Sequence, residues 1–241
     1  MNKDKILFGV AGLIAGLIVG FYFANSINQQ TVAPGAQMSA TQLPSGNSNI
    51  PPGHPDISGT NGDMTGQGAS QTEVLAAVEK AKQEPNDADA QLKAAELYYQ
   101  INRFDDAITY LKKANELKPD DHEVLVHLGN ANFDGEHYEE AEKWYTAALA
   151  KKADDVNVRT DLGLTFVFRS PPNYDRAIQE FNRSLEKDPN HIQTLQNLTV
   201  AYNKKGDTAK AKATLARLES VDPGNKAIKQ LRSEIDSPVS K

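Results

Sequence analysis

The side chains that could do chemistry in this sequence are spaced for packing and binding rather than for catalysis. The histidines His54, His122, His127, His137 and His191 fall in a proline-rich stretch, on turns or at helix starts. None has a second ligand-type residue at the paired spacing of a zinc site. The acidic pairs Asp105-Asp106 and Glu139-Glu140 stand at helix starts, where carboxylates favour the positive end of the helix dipole. No glycine-rich phosphate loop, nucleophile elbow or His-Glu zinc motif occurs. The absence of cysteine excludes disulfides, thiolate metal sites, a cysteine nucleophile and a lipid-modified cysteine anchor. The sequence therefore predicts no enzyme, no metal and no cofactor.

What recurs instead is a register of small residues. Ala95, Gly129, Gly163 and Thr199 are separated by 34, 34 and 36 residues, and a fixed period in this range is the signature of stacked helical repeats. Each unit opens after a turn rich in Pro, Asp and Asn: EPNDAD from Glu84, KPDDHE from Lys118, KADDVN from Lys152, DPNHIQ from Asp188 and DPGNKA from Asp222. Proline ends the preceding helix, and Asp or Asn side chains accept bonds from the open N–H groups of the next one. Shorter turns follow, NRFDDA, GEHYEEA, PNYDRA and GDTAKA, ending on Ala107, Ala141, Ala177 and Ala211, where a second helix is expected to start. Alanine there lets two helix axes approach, and Leu111, Tyr145, Phe181 and Leu215 fill the space one turn later.

These residues strongly resemble the tetratricopeptide repeat family over about residues 86 to 223. Ala95, Gly129 and Gly163 match its small first-helix residue; Tyr98, Phe166 and Tyr202 its aromatic; Phe104, Tyr138 and Tyr174 its turn aromatic; Pro119, Pro189 and Pro223 its closing proline. The departures are Thr199, Asn132, Thr208 and Ala153 at such positions, and a third inter-helix turn, RSPPNY from Arg169, two residues longer than the others. The resemblance implies an all-α fold, a helical-hairpin solenoid of about four repeats. Capping helices are expected over 71–85 and 224–241, and Trp144 is read as packing at a repeat junction.

In the family, first helices line a concave groove that takes a peptide or helix. The positions that correspond by helical spacing are Leu92, Glu96 and Tyr99; Val126, Asn130 and Phe133; Thr160, Leu164 and Val167; and Gln196, Val200 and Asn203, with Phe168 at the border. Their centre is apolar and aromatic with one amide, suited to an extended segment or an amphipathic helix, and Asn130 could bond a ligand backbone. A rival reading is that several of them support neighbouring helices. A subgroup of the family grips a C-terminal carboxylate with cationic side chains, but Leu92, Glu96, Val126 and Asp161 stand where such cations are needed.

Ahead of the repeats, Ile6 to Ala24 is nineteen residues without a charge. As a helix it spans roughly 28 Å, against a hydrocarbon core of about 30 Å. Residues 1–24 are thus read as a cytoplasmic stub and an uncleaved transmembrane anchor. Lys3 and Lys5 precede the span and no Lys or Arg follows until Lys80, which places the N-terminus inside and the repeats outside the cytoplasmic membrane of a bacterium. Gly12, Gly16 and Gly20 lie on one stripe that would permit a homodimer. Residues 25–70, rich in Gly, Pro, Ser, Asn, Gln and Thr, are expected to form a disordered tether. Beyond residue 70 the chain carries 24 basic and 29 acidic residues without Lys/Arg clusters, which argues against nucleic acid. The expected function is a membrane-tethered scaffold that binds segments of envelope proteins, identity open. The alternative is a structural or assembly component of an envelope complex, of the cytochrome c maturation, secretion or pilus type.

Overall fold

The computed structural model describes residues 69–237. The expected transmembrane helix with its Gly12, Gly16 and Gly20 stripe, the tether up to residue 68, His54 and residues 238–241 lie outside the described residues. Among the described residues there are ten helices: α1 (Gln71–Gln83), α2 (Ala88–Gln100), α3 (Phe104–Leu117), α4 (His122–Asp134), α5 (Tyr138–Lys151), α6 (Val156–Phe168), α7 (Tyr174–Lys187), α8 (Ile192–Lys205), α9 (Thr208–Val221) and α10 (Ala227–Asp236). No helix among them is long and apolar enough to cross a membrane. Each packs principally on its neighbours in sequence.

The helix starts follow from capping chemistry. Ser70 and Glu73 form a capping box on α1, and Asp87, Asp121 and Asp155 accept backbone N–H groups at the starts of α2, α4 and α6. The second helices begin at Phe104, Tyr138, Tyr174 and Thr208, three residues before the alanines that the sequence suggested as starts. The turn residues Asn102, Glu136 and Gly206 take left-handed backbone, with φ of 58°, 62° and 87°. That conformation lets the next N–H reach back five residues, from Arg103 to the Tyr98 carbonyl (2.9 Å), His137 to Asn132 (2.8 Å) and Asp207 to Tyr202 (2.9 Å). In the longer third turn the Asn173 N–H closes on the Phe166 carbonyl at 2.7 Å, so the extra residues bulge while the closing bond is kept. Arg176 and Arg169 lie over the Phe166 ring at 4.7 and 5.6 Å, and Arg169 also pairs with Glu142 at 3.0 Å. These contacts hold the bulge to the preceding repeat.

The core is small residues set against rings. Ala107, Ala141, Ala177 and Ala211 are all fully buried, as are Tyr145 and Phe181. A Cβ added to Gly129 would lie 2.4 Å from two Tyr145 ring carbons, and one added to Gly163 would lie 2.4 Å from Phe181 Cε1. Thr199 fits its position by donating its hydroxyl to the Leu195 carbonyl of its own helix at 2.7 Å, and the Asn132 Nδ2 donates to the Leu128 carbonyl at 2.7 Å. Trp144 packs against both the apolar cluster of α1–α4 and the larger one that runs on to α10.

Gly129→Ala tests the ring-on-backbone contact. Alanine favours helix over glycine by about 1 kcal/mol, but displacing a buried ring costs about 1–3 kcal/mol. The expected outcome is a lower urea midpoint for Gly129→Ala, and likewise for Gly163→Ala. Unchanged or higher midpoints in circular dichroism titrations would show that the rings yield freely.

Candidate functional site

The first helices α2, α4, α6 and α8 carry the thirteen residues picked out by spacing, and the structure joins parts of this set from helix to helix. The Tyr99 hydroxyl on α2 donates to the Asp134 carboxylate at the end of α4. Phe133 meets Phe168 edge-on at 5.7 Å, and both rings touch Tyr138. Thr160 contacts the Thr194 hydroxyl on α8 at 2.6 Å and Ser184 on α7 at 3.0 Å. Gln196 Nε2 donates to Asn225 Oδ1 at 2.8 Å. Glu96 is paired within its own helix, with Lys93 at 2.9 Å, and accepts from Gln100 at 3.1 Å.

Burial divides the set. Tyr99, Val126, Asn130, Phe133, Thr160 and Leu164 are buried; Leu92, Glu96, Val167, Gln196, Val200 and Asn203 are half-buried; Phe168 is 40% exposed. Val126 and Leu164 belong to the larger apolar cluster, with Val167 and Val200 packed on it, and Leu92 packs on the smaller one. The strip is therefore part of the scaffold's own packing as well as a face.

Its middle is polar in a way that spacing did not reveal. Asn130 is wholly buried: its Oδ1 accepts from the Tyr145 hydroxyl at 2.9 Å, and its Nδ2 has no hydrogen-bond partner. Asp134 follows one turn later on the same helix face. Burial pushes its carboxyl up to about 6, against an ordinary 3.8, while the bond from Tyr99 pulls the other way. Asp161 on α6 is wholly buried, and burial first, then Asp134 and Asp155, drive its carboxyl well above the ordinary range. Burial likewise raises the Tyr99 and Tyr145 phenols, with Asp134 and Asp161 adding to the effect on both. The sequence reading passed over Asp134, whose only signal was its place four residues after Asn130. It noted Asp161 only as a position lacking a cation.

The histidines need one correction. His127 lies in the middle of α4 rather than on a turn, and burial lowers its pKa. His122 lies 3.5 Å from Asp155, His137 bonds Asp105 at 2.8 Å and His191 bonds Thr194 at 2.6 Å. Among the described residues no group of three or more His, Cys, Asp or Glu could hold a metal.

Models of the tetratricopeptide repeat match residues 69–122, 92–157 and 173–235. Among solved structures, a crystal structure of MamA is 26% identical, with a TM-score of 0.57 and a match covering 62% of this chain and 86% of that one. A second MamA crystal structure is also 26% identical, with a TM-score of 0.57 and coverage of 65% and 83%. MamA from Desulfovibrio magneticus RS-1, from residue 41 to its end, is 18% identical over 64% of this chain and 85% of that one, with a TM-score of 0.58, and shares the fold. No curated protein matches the sequence.

The raised Asp134 pKa sets a pH test. The native state holds this proton more tightly than the unfolded chain, so the group's contribution is fully favourable below pH 3.8 and is lost as pH rises to about 6. Asp134→Asn, whose side-chain oxygen still accepts from Tyr99, should raise Tm at pH 7, by no more than about 3 kcal/mol in stability, and leave it unchanged near pH 3.5. An equal gain at both values would refute the assignment to Asp134.

Proposed function

The chain belongs to the tetratricopeptide repeat family, and we propose that its solenoid is a membrane-tethered scaffold that takes peptide or helical segments of envelope proteins in the groove. The observation that carries this reading is the side-chain chain of contact across successive first helices: Tyr99 to Asp134, Phe133 to Phe168, Thr160 to Thr194. Such a strip has a fixed shape, so a ligand meets a preorganised surface rather than one it must order at its own cost. The exposed Phe168 and the half-buried Val167 and Val200 give it an apolar border. The buried amide of Asn130 gives it a donor for a backbone carbonyl. The uncharged stretch from Ile6 to Ala24 supports a single-pass anchor, and the lysines before it support an orientation with the repeats outside the cytoplasm.

The second reading, a component or assembly factor of an envelope complex of the cytochrome c maturation, secretion or pilus type, is favoured by one feature, the Gly12, Gly16 and Gly20 stripe. That stripe permits self-association in the bilayer. A photocrosslinking residue at Val200 in the full chain, in intact cells, separates the two. Scaffold function predicts discrete adducts that fall at least about fivefold, equivalent to about 1 kcal/mol, when Phe133 and Phe168 are replaced by alanine. Adducts that ignore those replacements, together with a large stable complex in detergent, favour the assembly role. Deletion of residues 6–24 should move the protein out of carbonate-washed membranes, and retention there would remove the tether from the proposal.

A further inference from the structure

The aromatic border of the groove complements a sequence that the chain itself carries, and this inference rests on reading the α2, α4, α6 and α8 face as a polypeptide-binding surface. We propose that the rings of Phe133, Tyr138 and Phe168 take the chain's own proline-rich segment, Pro51 to Pro55, which a partner polypeptide must displace.

The receiving surface is a platform of rings. Phe168 is 40% exposed at the end of α6, and Tyr138 is half-buried at the start of α5. Their rings lie nearly parallel, 23° apart with centroids at 6.2 Å. The buried Phe133 stands edge-on to both, at 5.4 Å from Tyr138 and 5.7 Å from Phe168. A ring held in the core thus fixes two rings that reach the surface, and Tyr138 adds a phenolic donor. The third turn continues from Phe168 with Ser170, Pro171 and Pro172 all exposed, so the platform is approached from solvent.

The segment has the complementary chemistry. Residues 51–55 read Pro-Pro-Gly-His-Pro, and Pro52 and Pro55 stand three apart. Proline fixes its own φ and turns the residue before it toward extended backbone, so such a run favours polyproline II before anything binds it. With three residues per turn, Pro52 and Pro55 share one edge. Proline-rich segments of this spacing dock on aromatic-lined grooves, and a polyproline helix, which has no internal hydrogen bonds, leaves its carbonyls for a donor such as the Tyr138 hydroxyl. The other prolines between residues 25 and 70, Pro34 and Pro44, are isolated.

The topology puts the segment within reach. Ala69 at the start of α1 and Ile101 at the end of α2 pack on the same apolar cluster. Successive helices reverse direction through short turns, so α1 begins at the end of the hairpins where α2, α4 and α6 finish. Side chains join those three helix ends, Tyr99 to Asp134 and Phe133 to Phe168. Three interhelix steps of roughly 8–10 Å put α6 about 30 Å from α1. The thirteen residues from Asp56 to Gly68 cover up to about 45 Å when extended. Tethering on this scale gives an effective concentration of about a millimolar, at which a weak contact occupies the platform.

The chain has no cysteine, so an introduced pair reports the contact directly. In the full-length protein in detergent, Asp56→Cys is combined with Ser170→Cys, beside Phe168, or with Asn190→Cys, in an exposed turn at the opposite end of the hairpins. Under a mild thiol oxidant the first pair should close within one chain at least about tenfold faster than the second. Pro52→Ala with Pro55→Ala, which lie outside the ten helices, should bring the two rates within about threefold. Phe168→Ala should do the same with the circular dichroism spectrum unchanged. Equal rates at the outset, or disulfides that link two chains, would overturn the docking. A rate ratio that survives the proline replacements would report nearness of the tether alone and would overturn it too. The crosslinker at Val200 reads the groove separately. Partner adducts there without the cysteine preference would leave the groove standing and remove this occupant. The cysteine preference without adducts would leave the docking standing and count against capture of a partner.

Discussion

The fold depends on a close approach between helix axes, with a ring pressed onto a backbone that has no side chain in the way. At Gly129 and Gly163 the space a methyl group would need is already taken by Tyr145 and Phe181. The paired alanines at 141 and 177 keep the second helices equally near. Close-packed interiors resist even one added methylene, so this contact fixes both the distance and the rotation of each hairpin. Rotation in turn decides which residues of α4 and α6 face their neighbours. The polar middle of the candidate site is thus a consequence of the core: Tyr145 fills the space over Gly129 with its ring and bonds Asn130 with its hydroxyl.

The same side chain therefore serves the core and the polar middle of the candidate site, which explains why part of that site is hidden. Thr160 illustrates the overlap. It lies on the expected binding stripe, yet its hydroxyl is engaged with the Val156 carbonyl, Ser184 and Thr194, linking α6, α7 and α8. Removing that network would loosen three helices before it altered any ligand contact. Phe168 is the opposite case. It is exposed and stacked beside Tyr138, so its loss should be felt at the surface more than in the core.

How much of this was legible depends on whether a residue's task is periodic. The small-residue register, the large partners one turn later and the Asp caps recur in each unit, and the hairpins could be read from them. The left-handed turns at Asn102 and Glu136 were hidden because neither residue is glycine, and the starts of α3 and α5 lie directly after them. The restraint of the third turn by Arg169, Arg176 and Glu142 depends on a cation over a ring and a carboxylate from the previous hairpin, and no local pattern announces such a meeting. The burial of Asp134 and Asp161, which raises both carboxyls, was illegible for the same reason: each is enclosed only once the helices around it have packed.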